Sequence, residues 1–382
     1  MAAYKRLAWR AVLGTTALAM FGFGAWFVSL PQAASGAGGP TITAQEADAT
    51  IAALKPVKRP RRPVVAIIGL NEATETTDYL MPYGILKRAD VADVFALSTR
   101  PGPVTLYPAL TVVPDATIAE FDAIHAEGAD YVIVPAMSRD DNPEVLGWIR
   151  SQAAKGAVIV AVCAGAKVLA ESGLLDGKRA TTHWFYLDKL RSENPTISYV
   201  PDRRIVVDRG VVTTTGISAS MPLSLLMIEA IAGRTKAQSV AAQLGLTHWD
   251  ARHASGAFAL TRPFVLTSIG NRLAFWNQEQ FGIELTPGID EVSLALVADV
   301  WSRTYRSRAL THARTAGSIR THNGLRVVPD RVAVSWPTYR TLPAIGYRPP
   351  AHALDEALAA IEARYGAPTA DLVAMQLEYA RP

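Results

Sequence analysis

One thiol poses the chemical question. Cys163, the chain's single cysteine, ends the apolar run AVIVAVC (157 to 163) and is followed at once by Ala164-Gly165-Ala166 and the amphipathic stretch KVLAESGLL. A nucleophile on a sharp strand-to-helix turn projects away from a sheet, and the helix behind it offers free N–H groups and a positive dipole. Both favour the thiolate, the reactive form, so this reading expects a thiol that ionises more easily than free cysteine. The alternative is a buried structural cysteine acting as a small hydrophobe, and spacing alone leaves both open. One cysteine excludes an internal disulfide framework and any multi-cysteine metal site. His248, Asp250 and His253 in THWDARH have helical spacing for metal ligands, but no further ligand accompanies them, and a packing or solvated role fits better.

Elements that hold Cys163 follow from the apolar pattern. VVAIIG (64 to 69), YVIVP (131 to 135) and AVIVAVC are near-continuous apolar runs, as expected of strands buried on both faces of a parallel sheet. Residues 77 to 88 and 143 to 155 have helical spacing, the second stretch opening on Pro143, which suits a helix N-terminus. The alternation predicts an α/β fold with a doubly wound, mostly parallel, flavodoxin-like sheet, whose chemistry sits beyond the carboxyl ends of its strands. At 382 residues, 49% hydrophobic and 19% charged, the chain has room for two domains and material for ordinary cores, which excludes wholesale disorder. Thirty-eight Lys+Arg against 34 Asp+Glu leave +4, too little and too scattered for nucleic acid as the main partner.

Residues 11 to 30, AVLGTTALAMFGFGAWFVSL, carry no charge, and Lys5, Arg6 and Arg10 precede them. About twenty apolar residues suffice to span a bilayer, and flanking cations stay on the cytoplasmic side. Residues 1–35 are therefore expected to form a transmembrane anchor or a cleaved signal, the length favouring the anchor and PQAASGA offering small residues for processing. Either way the remainder faces the periplasm or the exterior. Residues 36–63 read as a linker with a short helix, for which Thr43 and Glu46 fit a capping box, followed by Lys58, Arg59, Arg61 and Arg62 as a solvated basic stretch.

Across 64–245 several motifs together resemble the ThiJ/PfpI superfamily, within the class I glutamine amidotransferase-like fold. VCAGA places Cys163 where that family carries its nucleophile. ATTHW places His183 where many members carry a histidine beside it, and DYLMP places Asp78 where an acidic residue hydrogen-bonds the thiol. An Asp there resembles the isocyanide hydratase and AraC-type regulator branches. The resemblance implies Cys163 as nucleophile, Asp78 as a carboxyl pushed toward its protonated form, and His183 as base or water-orienting auxiliary. Thr76, Thr77 and Asp78 also suit a helix cap. One departure is plain: the family's Gly-Gly pair is replaced by Ala136 and Met137. An oxyanion and substrate pocket is accordingly expected from Ala136, Met137, Ala164 and Gly165, more apolar than in a glycine version.

Residues 246–382 carry no recognisable helix-turn-helix. Instead LTVVPDAT (110 to 117) recurs as LRVVPDRV (325 to 332), FALSTR (95 to 100) loosely as RALTHA (308 to 313), and the closing helices recur in the tail. A degenerate partial second copy is expected, packed on the first as an intrachain pseudo-dimer or assembling in a homo-oligomer. The expected function is cysteine-dependent hydrolysis or hydration, or a glyoxalase-like reaction, of a small electrophile, without metal or organic cofactor. The alternative is a non-catalytic thiol redox or small-ligand sensor.

Overall fold

The computed structural model describes residues 15, 20–33, 39–56, 61–346 and 348–381. Seven strands form the main sheet, in the order Ile205–Asp208, Val211–Thr214, Val158–Ala161, Tyr131–Val134, Val64–Gly69, Asp93–Ser98, Ala116–Thr117. All neighbours run parallel except the first pair, a hairpin. Alternate side chains of the central strands feed two separate cores. Val65 and Ile67 enter one, while Val64, Ala66 and Ile68 enter the other, and Tyr131–Val134 divides in the same way. Because successive strand side chains point to opposite faces, a strand covered by helices on both sides must be apolar throughout. At ~1.5–3 kcal/mol per fully buried aliphatic side chain, these runs outweigh the polar contacts around them.

The strands end short of the apolar runs, at Val134 rather than 135 and at Ala161 rather than 163. The residues left over turn toward the site. Helices Thr76–Ala89 and Pro143–Ala154 match the periodic stretches. Asn142 caps the second, its side chain accepting from Val145 N–H at 3.1 Å. The first is capped not by Thr76, Thr77 or Asp78 but by Glu75, whose carboxylate accepts from Asp78 N–H at 2.6 Å.

Residues 20–29 are helical, whereas 11–14 and 16–19 lie outside the described residues. Among the described residues no helix is long and apolar enough to cross a membrane, so the expected span over 11–30 is not carried by the structure. The stretch expected as a linker is fastened to the fold. Helix Ala44–Leu54 starts at Thr43, whose hydroxyl accepts from Glu46 N–H at 3.1 Å, and Leu54 is fully buried. Tyr131 OH donates to Leu54 O at 2.5 Å, and Arg203 pairs with Glu46. Arg61 pairs with Asp130 at 3.1 Å, and Arg62 with Asp90 and Asp93, so these two arginines are clasps rather than a solvated run. Lys58 and Arg59 lie outside the described residues.

A second, smaller parallel sheet contains Glu279–Glu284, Ser307–Ala313 and Arg331–Val332, with helix Glu291–Ser302 between its first two strands. The two matching sequence motifs pair with each other. Strand Thr111–Val113 lies antiparallel to Arg326–Val328, with Val112 opposite Val327, Thr111 opposite Val328 and Val113 opposite Arg326. Helix Glu291–Ser302 packs against Thr76–Ala89, and the apolar side chains of both belong to one continuous core.

Candidate active site

Cys163 sits two residues past the Val158–Ala161 strand with φ 58°. This left-handed backbone is one that an L side chain adopts only when its surroundings impose it. Three contacts hold the turn. Cys163 N–H donates to Thr214 Oγ1 and Thr182 Oγ1 donates to Cys163 O, both at 3.1 Å. Helix Gly165–Glu171 begins so close to the neighbouring strand end that a Cβ on Gly165 would collide with the Val134 carbonyl oxygen. Only glycine permits that approach. The sulfur lies in the wall of a cavity of about 560 Å³.

Beneath it is a buried group of three carboxyls and one cation. Glu75 Oε1 accepts from the Arg303 guanidinium at 2.5 Å, and its Oε2 accepts from Thr77 Oγ1 at 2.9 Å. Arg303 Nε also donates to Asp299 Oδ2 at 2.6 Å. Asp78 Oδ2 accepts from Ala136 N–H at 3.1 Å, while its Oδ1 is buried without a partner, so the expected hydrogen bond between Asp78 and the Cys163 thiol is not formed. One guanidinium cannot neutralise three carboxylates, so the group must retain protons. Burial raises the Asp78 carboxyl to about 7, against the Ala136 N–H and Arg303, which lower it. Burial, then the charges of Asp78 and Asp299, push Glu75 well up, and burial raises Asp299 despite Arg303. Burial alone would lower Arg303, yet Asp299 and Glu75 hold it firmly charged.

The thiol departs from the expectation of easy ionisation. Burial pushes Cys163 well up, the carboxylates of Asp78, Glu75 and Glu378 push it further, and the Ala164 N–H opposes them weakly. Cys163 is 5% exposed, so desolvation outweighs the helix terminus behind it. The resting group is a thiol.

His183 borders the same cavity but is committed elsewhere. Its Nε2–H donates to Gln376 O at 2.9 Å, and Nδ1 accepts from Phe185 N–H at 3.2 Å. That pair of bonds fixes the neutral tautomer and leaves neither nitrogen for the sulfur's proton. Burial lowers its pKa, opposed by Glu378 and the Gln376 carbonyl. His183 is thus tied to the segment around Gln376, and both its nitrogens are occupied in this structure. Ala136, Met137 and Ala164 line the cavity, and Gly165 does not, its N–H being bonded to Val162 O. Neither Ala136 nor Met137 has a positive φ, so Met137 fits without strain. The N–H of Ala136 is spent on Asp78, which withdraws it as an oxyanion donor. His248 is exposed, His253 is buried 3.4 Å from Glu378, and among the described residues no cluster could hold a metal ion.

Sequence reasoning missed Glu75, Arg303, Tyr305 and Gln376, and the helix Arg262–Leu273, which walls the cavity with Phe264, Val265, Ser268 and Arg272. Most of these come from beyond residue 245. One signal was present: Arg303 and Asp290 stand 215 positions after Arg88 and Glu75, the offset between LTVVPDAT and LRVVPDRV.

A parallel α/β sheet with a left-handed cysteine at a strand-to-helix turn, backed by buried carboxyls, defines a class of proteins that present one cysteine at the carboxyl end of the sheet. Residues 64–230 match the model of the DJ-1/PfpI family. The chain is 35% identical over 171 residues to the isonitrile hydratase of Pseudomonas putida, a match covering 44% of this chain and 72% of that one. It is 29% identical over 189 residues to the HTH-type transcriptional regulator CdhR of Pseudomonas aeruginosa, covering 48% and 53%. The crystal structure of Drosophila melanogaster DJ-1beta superposes with a TM-score of 0.44 at 25% identity, over 49% of this chain and all of that one. This chain belongs to the DJ-1/PfpI family.

Proposed function

We propose that the chain is a cysteine-dependent hydratase or hydrolase of small electrophiles, with an isonitrile-type carbon as the leading substrate class. The observation that carries this reading is the thiol in the wall of the cavity, with the buried Asp78 carboxyl, raised to about 7, near enough for its charge to act on the sulfur. Such a carboxyl moves protons efficiently in both directions. Cys163 adds to the terminal carbon of R–N≡C, and the sulfur's proton passes by way of Asp78 to that same carbon, giving R–N=CH–S–Cys163. Water then adds to this carbon, the C–S bond breaks, the thiol recovers its proton and R–NH–CHO leaves. The balance is one water added, with no metal or organic cofactor. The name of the 35% identical relative supports this substrate class. In the test, purified chain is incubated with alkyl isonitriles and related nitriles and aldehydes, and the formamide or acid is followed by mass. Turnover lost in Cys163→Ser supports the proposal; an inert native chain across the panel overturns it.

The C-terminal unit is, on this reading, a degenerate second copy docked as an intrachain pseudo-dimer. Leu97 opposite Ala116 recurs as His312 opposite Arg331, each displaced by 215 positions. Asp115 accepts from Ala96 N–H, and Asp330 from Thr311 N–H, at the same displacement. The positive φ values of Asp90 and Gly102 recur at Tyr305 and Gly317. Across the join, Arg303 pairs with Glu75 and Arg88 with Asp290, so each half reaches into the other as in a two-fold interface. Tethering through residues 11 to 30, with the body outside the cytoplasm, completes the proposal.

A further inference from the structure

The helix Arg262–Leu273 has two faces with different duties. Phe264, Val265, Ser268 and Arg272 face the Cys163 cavity. Its outer side presents Leu266 and Leu273 at 59% and 62% exposure, with Ile269 at the rim, 39% exposed and also lining the cavity, continued by Phe275 at 72% and Trp276 at 76% in the turn beyond. Positions 266, 269 and 273 repeat at helical spacing, and Phe275 and Trp276 follow in the short 3-10 turn after the helix ends at Leu273, which makes one exposed apolar stripe. Two further observations say what covers it. The helix's first residue is bound to the apolar N-terminal helix: Arg262 Nε donates to Leu30 O at 2.8 Å, Arg262 N–H to Pro31 O at 3.0 Å, and the guanidinium also reaches Val28 O. The helix that carries the stripe is therefore joined at its start to one that itself exposes Met20, Phe21, Phe23 and Val28. In addition, no Asp or Glu occurs between Asp250 and Glu279; Arg252 pairs with Asp250, whereas Arg262, bonded to backbone carbonyls, and Arg272, stacked on Tyr305, have no acid against them among the described residues. Apolar and aromatic residues beside cations, with acids excluded, suit an anionic lipid surface.

We infer that the helix Arg262–Leu273 and its Phe275–Trp276 extension lie in the headgroup layer of the bilayer that receives the N-terminal segment, making the outer wall of the Cys163 cavity a membrane-bound element. The inference rests on the proposed tether, and the test separates the two. In a Cys163→Ser background, Trp276→Cys is labelled with an environment-sensitive fluorophore in the full chain, reconstituted into phosphatidylcholine vesicles containing phosphatidylglycerol. Ile124→Cys, equally exposed at 76% and at the opposite end of the sheet from Cys163, is the control. The expected result is co-flotation with vesicles, with emission at 276 shifted to the blue and quenched about twofold or more by lipid nitroxide, and emission at 124 unchanged. Adding Leu266→Glu with Leu273→Glu should return the 276 probe to the aqueous signal while flotation persists. A probe at 276 as wet as that at 124, in chain that floats, overturns the inference and leaves the tether standing. Protection at 276 that appears without vesicles and grows with protein concentration assigns the stripe to a second copy and also overturns it. Failure to float overturns tether and inference together.

Discussion

Replacing Asp78 by Asn tests the proton bookkeeping of the site directly. The side chain is fully buried, its Oδ2 holds the Ala136 N–H, and an amide oxygen can keep that bond. Burial raises the folded carboxyl to about 7, whereas an unfolded Asp releases its proton near ~4. Between those values the folded state binds more protons than the unfolded one, so stability is highest at low pH and falls as pH rises through 7. From pH 5 to pH 8 this carboxyl removes about 2–3 kcal/mol, an order-of-magnitude value for a buried group coupled to others. Asn does not titrate. In urea unfolding followed by tryptophan fluorescence, Asp78→Asn should flatten the decline between pH 5 and pH 8 by that amount, leaving the slope that Glu75 and Asp299, both raised by burial, contribute. It should also depress turnover by ~10²–10⁴-fold, the usual worth of a placed acid–base group. A variant whose stability falls with pH as steeply as the native chain's would refute the placement of the proton on Asp78.

Arg303→Met removes the one cation shared by Glu75 and Asp299, and should cost ~3–5 kcal/mol at pH 8. The loss should shrink toward pH 5 as both carboxyls take up protons, and a pH-independent loss would count against the buried ion group. Gly165→Ala drives a methyl against the Val134 carbonyl and should destabilise by ~1–3 kcal/mol or more while shifting the Cys163 turn. An unchanged unfolding midpoint would show that the helix can recede. Iodoacetamide labelling of the native chain against pH should show an inflection above the ~8.5 of free cysteine. A plateau already reached at pH 7 would mean that a thiolate, not a thiol, rests in the cavity.

Much of the sheet was legible because burial on both faces writes itself as uninterrupted apolar runs. Val64–Gly69 was read with its observed ends, and the flanking strands were overread by one to two residues where Pro135 and Cys163 begin the site. The turn at Cys163 was legible too, from a strand followed by small residues. Its protonation was misread, because a helix N-terminus is visible in sequence whereas the depth of burial and the carboxyls packed beneath are not. His183 was located correctly at the cavity, yet its bonds to Gln376 O and Phe185 N–H depend on a segment nearly two hundred residues away.

What the sequence determined by itself is local and periodic: the strand and helix pattern, the single thiol at a strand end, and a 215-residue echo between two motifs. Those features arise from neighbours along the chain, where side-chain alternation and turn chemistry are fixed. What only the tertiary structure decided is who meets the thiol. Arg303, Tyr305 and Gln376 arrive from beyond residue 245, and the electrostatics of Cys163, Asp78 and Glu75 follow from how completely the packing around them excludes water. Proton affinity depends on solvent exclusion and on the distances between charges, and neither is a property of sequence order.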